Sequence, residues 1–104
     1  MASFGRAHAE LGGGGEPIPG VAHLGALFVD REWWGRGVAP ALLRAAVREM
    51  TARGFERGRL IVPEGHRRAR ALYAREGWEP VGPWFDDRFG LPLVELGLAL
   101  HPGH

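Results

Sequence analysis

The chain contains no cysteine, so a disulfide framework, a thiolate nucleophile and a cysteine-ligated zinc site are all excluded. It contains no lysine either, all 13 of its basic residues being arginine. That removes Schiff-base chemistry and a phosphate-loop lysine, and leaves the guanidinium, which is well matched to phosphate, as the strong cation. Charge of one sign is scarce too. Thirteen basic against 12 acidic side chains give a formal net charge of +1, which supplies no broad field for nucleic acid or an anionic membrane surface. No apolar stretch approaches the ~20 residues that cross a bilayer and no signal-peptide pattern opens the sequence, so a cytoplasmic location is expected. His101 and His104 lack a third ligand at useful spacing, and no metal site is expected.

What is present fits a single α/β domain over residues 1–104, with a hydrophobic fraction of 45% that suffices for a modest core. Alternation from Met1 to Leu11 predicts a strand. The run of glycine and proline from Gly12 to Gly20 predicts a loop, since neither a helix nor a central strand accommodates it. Val21 to Val29, apolar but for His23, predicts a central strand covered on both faces. Leu42, Leu43, Ala46, Val47 and Met50 form the stripe of an amphipathic helix from about Gly37 to Arg53, which Gly54 and Phe55 should close. A short strand, Arg59 to Val62, ends at Pro63-Glu64-Gly65. A second helix from about His66 to Glu76 closes on Gly77-Trp78, another glycine followed by an aromatic. Trp78 to Phe85 and Leu91 to Leu100 read as two last strands. The order is β-β-α-β-α-β-β, a mixed sheet with parallel central strands and an antiparallel hairpin at each end. The first strand would have an exposed edge, which usually needs a partner, and a homodimer would supply one.

The turn Trp33-Trp34-Gly35-Arg36-Gly37 feeding a helix is the most informative segment. Glycines there let an anion approach the chain closely, and a helix start offers unpaired N–H groups and the positive end of the dipole. It is neither a Walker A loop nor a dinucleotide fingerprint, because the lysine and the three-glycine spacing are missing. The stretch from Leu27 to Ala39 resembles the acetyl-CoA signature of the GCN5-related N-acetyltransferase (GNAT) family, Arg/Gln-x-x-Gly-x-Gly/Ala. Trp34 stands in the Arg/Gln place, and Gly37 and Ala39 fill the small-residue places. The stretch from Leu60 to Trp78 is similar to that family's later motif, with His66 where an asparagine is usual and Tyr73 ahead of Gly77-Trp78. Together the two motifs cover roughly half the chain and are far more specific than either alone.

The resemblance implies an enzyme that transfers acetyl from acetyl-CoA to an amine acceptor by direct attack. It implies that Trp34, Gly35, Arg36, Gly37, Val38 and Ala39 hold the pyrophosphate. The pantetheine arm would pair with the strand carrying Leu27, Phe28 and Val29, and His66 and Arg70 would contribute from the second helix. Tyr73 falls where the family has the acid that protonates the departing sulfur, and His23 falls where some members place a general base. The family also begins with a strand and a helix pair ahead of the segments matched here. Plainer readings stand beside these: an ordinary turn at Gly35 and Gly37, core packing for Tyr73, a hydrogen-bonded core histidine at His23. The Arg67, Arg68, Arg70 and Arg75 cluster reads as a solvated helix face, and Trp33, Trp84, Phe85 and Phe89 as core or interface aromatics. The alternative from another class is a non-catalytic acyl-CoA binding or interaction module.

Overall fold

The computed structural model describes residues 2–8, 17–27, 37–85 and 90–101. In chain order the elements are β1 (Ala2–His8), β2 (Pro17–Leu27), α1 (Val38–Ala52), β3 (Arg57–Pro63), α2 (Arg67–Arg75), β4 (Glu79–Trp84) and β5 (Leu93–Ala99). The strands form one mixed sheet in the order β1-β2-β3-β5-β4. β1 and β2 are antiparallel, β2 and β3 parallel, and β5 runs antiparallel to both β3 and β4. The last strand is therefore threaded between β3 and β4. Composition explains the placement: Leu93, Val94, Leu96 and Gly97 of β5 are buried, whereas β4 carries Pro80 and Pro83, which cannot donate to a ladder and suit an edge.

Both helices pack on one face. A single cluster joins Leu43, Ala46 and Met50 of α1 and Ala69 and Leu72 of α2 to Ala22, Leu24, Leu60, Val62, Val94 and Leu96 of the sheet. Strand side chains alternate between faces, so His23 and Arg59 belong to the opposite one. The expectation that β2 is covered on both faces is thus corrected: among the described residues, helices cover only one.

The glycine-proline loop also ends earlier than its composition suggests, because β2 begins at Pro17. His8 pairs with Pro17 but Arg6 with Ala22, so extra β2 residues are absorbed in an irregularity. Gly20 lies within it at φ 75°, and its carbonyl accepts the Glu56 N–H at 2.8 Å. A bulge tolerates proline because its residues are released from the ladder.

The helix ends obey the local signals. After α1, Gly54 sits at φ 87°, its N–H donates to Thr51 O at 3.0 Å and that of Phe55 to Met50 O at 3.1 Å. After α2, Gly77 sits at φ 92°, with Gly77 N–H to Ala74 O at 3.1 Å and Trp78 N–H to Tyr73 O at 3.0 Å. Each is a Schellman motif, in which a left-handed glycine lets its own amide and that of the following residue cap the helix carbonyls. An Arg44–Glu76 ion pair, with a second contact from Arg44 Nη2 at 3.0 Å, ties α1 to the end of α2.

Candidate functional site

The sheet is open in its middle. Parallel pairing of β2 with β3 covers only Val21–Arg57, Ala22–Gly58 and His23–Arg59. Past those rungs β2 stays with β1 as far as Leu27, and β3 stays with β5 as far as Pro63. The two parallel strands have parted, and the β3-facing backbone of residues 24–27 has no partner strand among the described residues. An unpaired strand edge is a ready template for an extended ligand with donors and acceptors of its own.

α1 starts at the same end of the sheet. Its N-cap is Gly37, at φ 82° and with no side-chain cap, and no acidic residue occupies the first turn. Pro40 brings no N–H, so Val38 and Ala39 supply the orphan donors of this helix start. A side chain built on Gly37 would meet nothing within 4 Å among the described residues. Its left-handed backbone and the open space in front of it are what an anion held by main-chain amides requires.

α2 positions the remaining expected residues. His66 is its N-cap, and the ring Nδ1 accepts the Ala69 N–H at 3.3 Å. It therefore does the capping work that an asparagine would do. Arg70 is fixed by a 2.9 Å hydrogen bond from Nη1 to the Glu64 carbonyl. Tyr73, the one tyrosine of the chain, is half-buried against the core. Its ring meets Trp78 edge-on, with centroids 6.4 Å apart and planes at 64°, and burial raises its pKa. The phenol is thus held in its protonated form at neutral pH.

His23 has a different setting from the one a general base needs. Arg59 Nε donates to His23 Nδ1 at 3.2 Å. Because that nitrogen accepts, the neutral ring carries its hydrogen on Nε2. Burial, and then the Arg59 charge, lower its pKa to about 4. The lone pair a base would use is already engaged and weakly basic, which argues against the general-base expectation.

Arg59, which the sequence reading passed over, organises this face. It is 4% exposed, and its guanidinium lies 5.1 Å from the centroid of the Trp84 ring. Burial lowers its pKa and the Glu95 carboxylate raises it in part. The available signal was a second arginine, two residues after Arg57 and directly ahead of the apolar run Leu60-Ile61-Val62. Trp84 stacks on a cation rather than filling the core, and Phe85, 87% exposed, fills nothing. Phe28, Val29, Trp34, Gly35 and Arg36 lie outside the described residues, and of Leu27 only the backbone is described.

The profile of the acetyltransferase (GNAT) family matches residues 6–78. The chain belongs to that family. It is 36% identical over 76 residues to a mycothiol acetyltransferase of Beutenbergia cavernae, a match spanning 73% of this chain and 25% of that protein. The fold is shared with the ribosomal-protein-S18-alanine N-acetyltransferase from Escherichia coli (TM-score 0.69, 22% identity, 86% of this chain and 60% of that one). It is also shared with a Bacillus subtilis acetyltransferase solved in complex with CoA (TM-score 0.74, 14% identity, 80% and 63%). The chain thus spans a quarter of the curated relative and about three-fifths of these two solved chains. Within this GNAT chain, the opening between β2 and β3, the start of α1 and Tyr73 all lie inside the matched region.

Proposed function

We propose that this GNAT chain transfers an acetyl group from acetyl-CoA to an amine acceptor by direct attack. The parting of β2 from β3 carries this reading, because it leaves a strand edge on which the amides of a pantetheine arm can pair. The open, uncapped start of α1 lies at the same end of the sheet, where backbone N–H groups would take the pyrophosphate.

The chemistry then requires few groups. The amine nitrogen bonds to the thioester carbonyl carbon, the tetrahedral adduct collapses with cleavage of the C–S bond, and the sulfur leaves with the electron pair. Tyr73 gives its phenolic proton to that thiolate, while the surplus proton on nitrogen passes to water. A phenol near ~10 carries its proton at neutral pH and can pass it to a thiolate near ~8.5 as charge develops on sulfur; burial, which raises the Tyr73 pKa, makes it a weaker donor rather than a stronger one. His23 has no part in this scheme.

The engaged lone pair of His23 gives substance to a second reading, a domain that binds acyl-CoA without turnover. Calorimetric titration with acetyl-CoA, followed by thiol release in the presence of amines, separates the two. Saturable binding lost in Gly37→Glu is expected under both. Thiol release that falls about a hundredfold in Tyr73→Phe supports catalysis, since a positioned acid contributes on that scale. Binding without any thiol release would leave the binding module standing alone.

A further inference from the structure

The side chains of His23 and Arg59 meet at the point where the parallel strands part. His23–Arg59 is the last of the rungs that join β2 to β3, and both side chains stand on the sheet face away from the helices. There Arg59 Nε donates to His23 Nδ1 at 3.2 Å, a bond that crosses the seam between the two strands. The same guanidinium lies 5.1 Å from the ring centroid of Trp84, which belongs to the edge strand β4. Trp84 pairs with Leu93, and Leu93 with Pro63, so Trp84 stands further along β3 than Arg59, in the direction in which β2 and β3 separate. The guanidinium and the ring therefore meet beside the opening, and Arg59 links β2 to β4 across the intervening strands.

The sheet needs such a link. Only the rungs Val21–Arg57, Ala22–Gly58 and His23–Arg59 pair the β1-β2 half with the β3-β5-β4 half. On the helix face Ala22, Leu24, Leu60 and Val62 share one apolar cluster, but apolar contact is non-directional and does not choose the residue at which pairing stops. A hydrogen bond from a charged donor is directional and roughly twice as strong as a neutral one. Arg59 makes its bond at 4% exposure, where water competes little for the acceptor.

We propose that Arg59 is a positioning residue for acetyl-CoA: by clasping His23 it fixes the point at which β2 and β3 part, and so holds the strand edge of residues 24–27 ready for the pantetheine arm. The inference rests on the acetyl-transfer reading and adds to it a residue that acts through the backbone of the site.

Arg59→Met tests this, because it removes the bond and the charge together and leaves no unpaired cation in the sheet. Amide hydrogen exchange is read on the chain without ligand, and acetyl-CoA affinity by calorimetry. Amides of residues 21–24 and 57–60 that pair across the seam should exchange about tenfold faster in the variant relative to those of α1 and β5. Acetyl-CoA should bind about tenfold more weakly. In the proposed transfer the loss should appear in the KM for acetyl-CoA, with kcat within about threefold of the parent, since Tyr73 stands on α2. His23→Ala, which removes the acceptor and admits water to Arg59, repeats the comparison if Arg59→Met does not fold. His23→Gln, whose amide oxygen can still accept from Arg59 Nε, should recover most of both losses. Seam protection and affinity must fall together and locally: a change in one without the other, no change in either, or a loss of protection spread evenly over the sheet each overturns the proposal. A parent chain that binds no acetyl-CoA overturns instead the reading on which the proposal rests, so the two failures are told apart.

Discussion

A buried guanidinium stays charged, so it must be solvated by the protein itself. Arg59 achieves this with the His23 Nδ1 acceptor and the Trp84 ring face, in the field of Glu95. The arrangement works only while His23 is neutral. The folded-state pKa of His23 is depressed from 6.5 to about 4, so the folded state binds this proton less readily than the unfolded chain. Its contribution is therefore fully present above pH 6.5 and is lost as the pH falls towards 4. For a partly exposed ring, solvent screening reduces that contribution to the order of 1–2 kcal/mol. His23→Gln should remove this share of the acid sensitivity. Urea midpoints at pH 7 and pH 4.5 should differ less in the variant than in the parent chain, and equal differences would refute the coupling. The sequence singled out His23 but not its role, because the deciding partner stands 36 residues away on the next parallel strand. Register brings Arg59 alongside, and register is absent from a linear reading. The setting of Tyr73, just ahead of the Gly77-Trp78 helix stop, was legible for the opposite reason, since that signal is local.

Helices were easier to read than strands, and the two glycine-aromatic stops show why. A Schellman cap depends on residues within six positions of one another, so Gly54-Phe55 and Gly77-Trp78 announce both helix ends without long-range information. The insertion of β5 between β3 and β4, and the early start of β2 at Pro17, depend on which strands compete for a neighbour. Two glycines separate local from tertiary constraint. Gly54, at φ 87°, has nothing within 4 Å of an added Cβ among the described residues, so Gly54→Ala should cost only the left-handed strain, about 1–2 kcal/mol, and leave the proposed acetyl transfer unchanged. Gly58 has no such backbone demand, yet a Cβ there would lie 2.9 Å from Trp78 Cη2. Gly58→Ala should destabilise by about 2 kcal/mol through overpacking. It should also lower kcat, because the displaced Trp78 ring is the one braced against Tyr73. Melts and kinetics of the two variants check this. A Gly58→Ala variant that keeps the kcat of the parent chain for the proposed transfer would show that Trp78 does not set the position of Tyr73.

A sheet of five strands covered by helices on one face, with its central parallel pair parted, places binding and stability in the same backbone. Strand edge left open between β2 and β3 contributes nothing to the empty fold, whereas a ligand that fills the gap joins the β1-β2 half to the β3-β5-β4 half. Binding there should therefore register in global unfolding as well as locally. Any ligand selective for the folded state stabilises it by RT ln(1 + [L]/Kd), about 2.7 kcal/mol at a hundredfold excess over Kd. For a chain near 100 residues that corresponds to a rise in Tm on the order of 10 °C. Acetyl-CoA should produce such a rise in the parent chain. Gly37→Glu, which puts a carboxylate and a strained backbone where the pyrophosphate is proposed to lie, should melt at nearly the same temperature with and without it. Tyr73→Phe should keep the full shift, because the proposed acid acts on the leaving sulfur rather than in holding the donor. A shift that survives Gly37→Glu undiminished would move the anion site away from the start of α1, while the parted strands would still account for the remaining affinity.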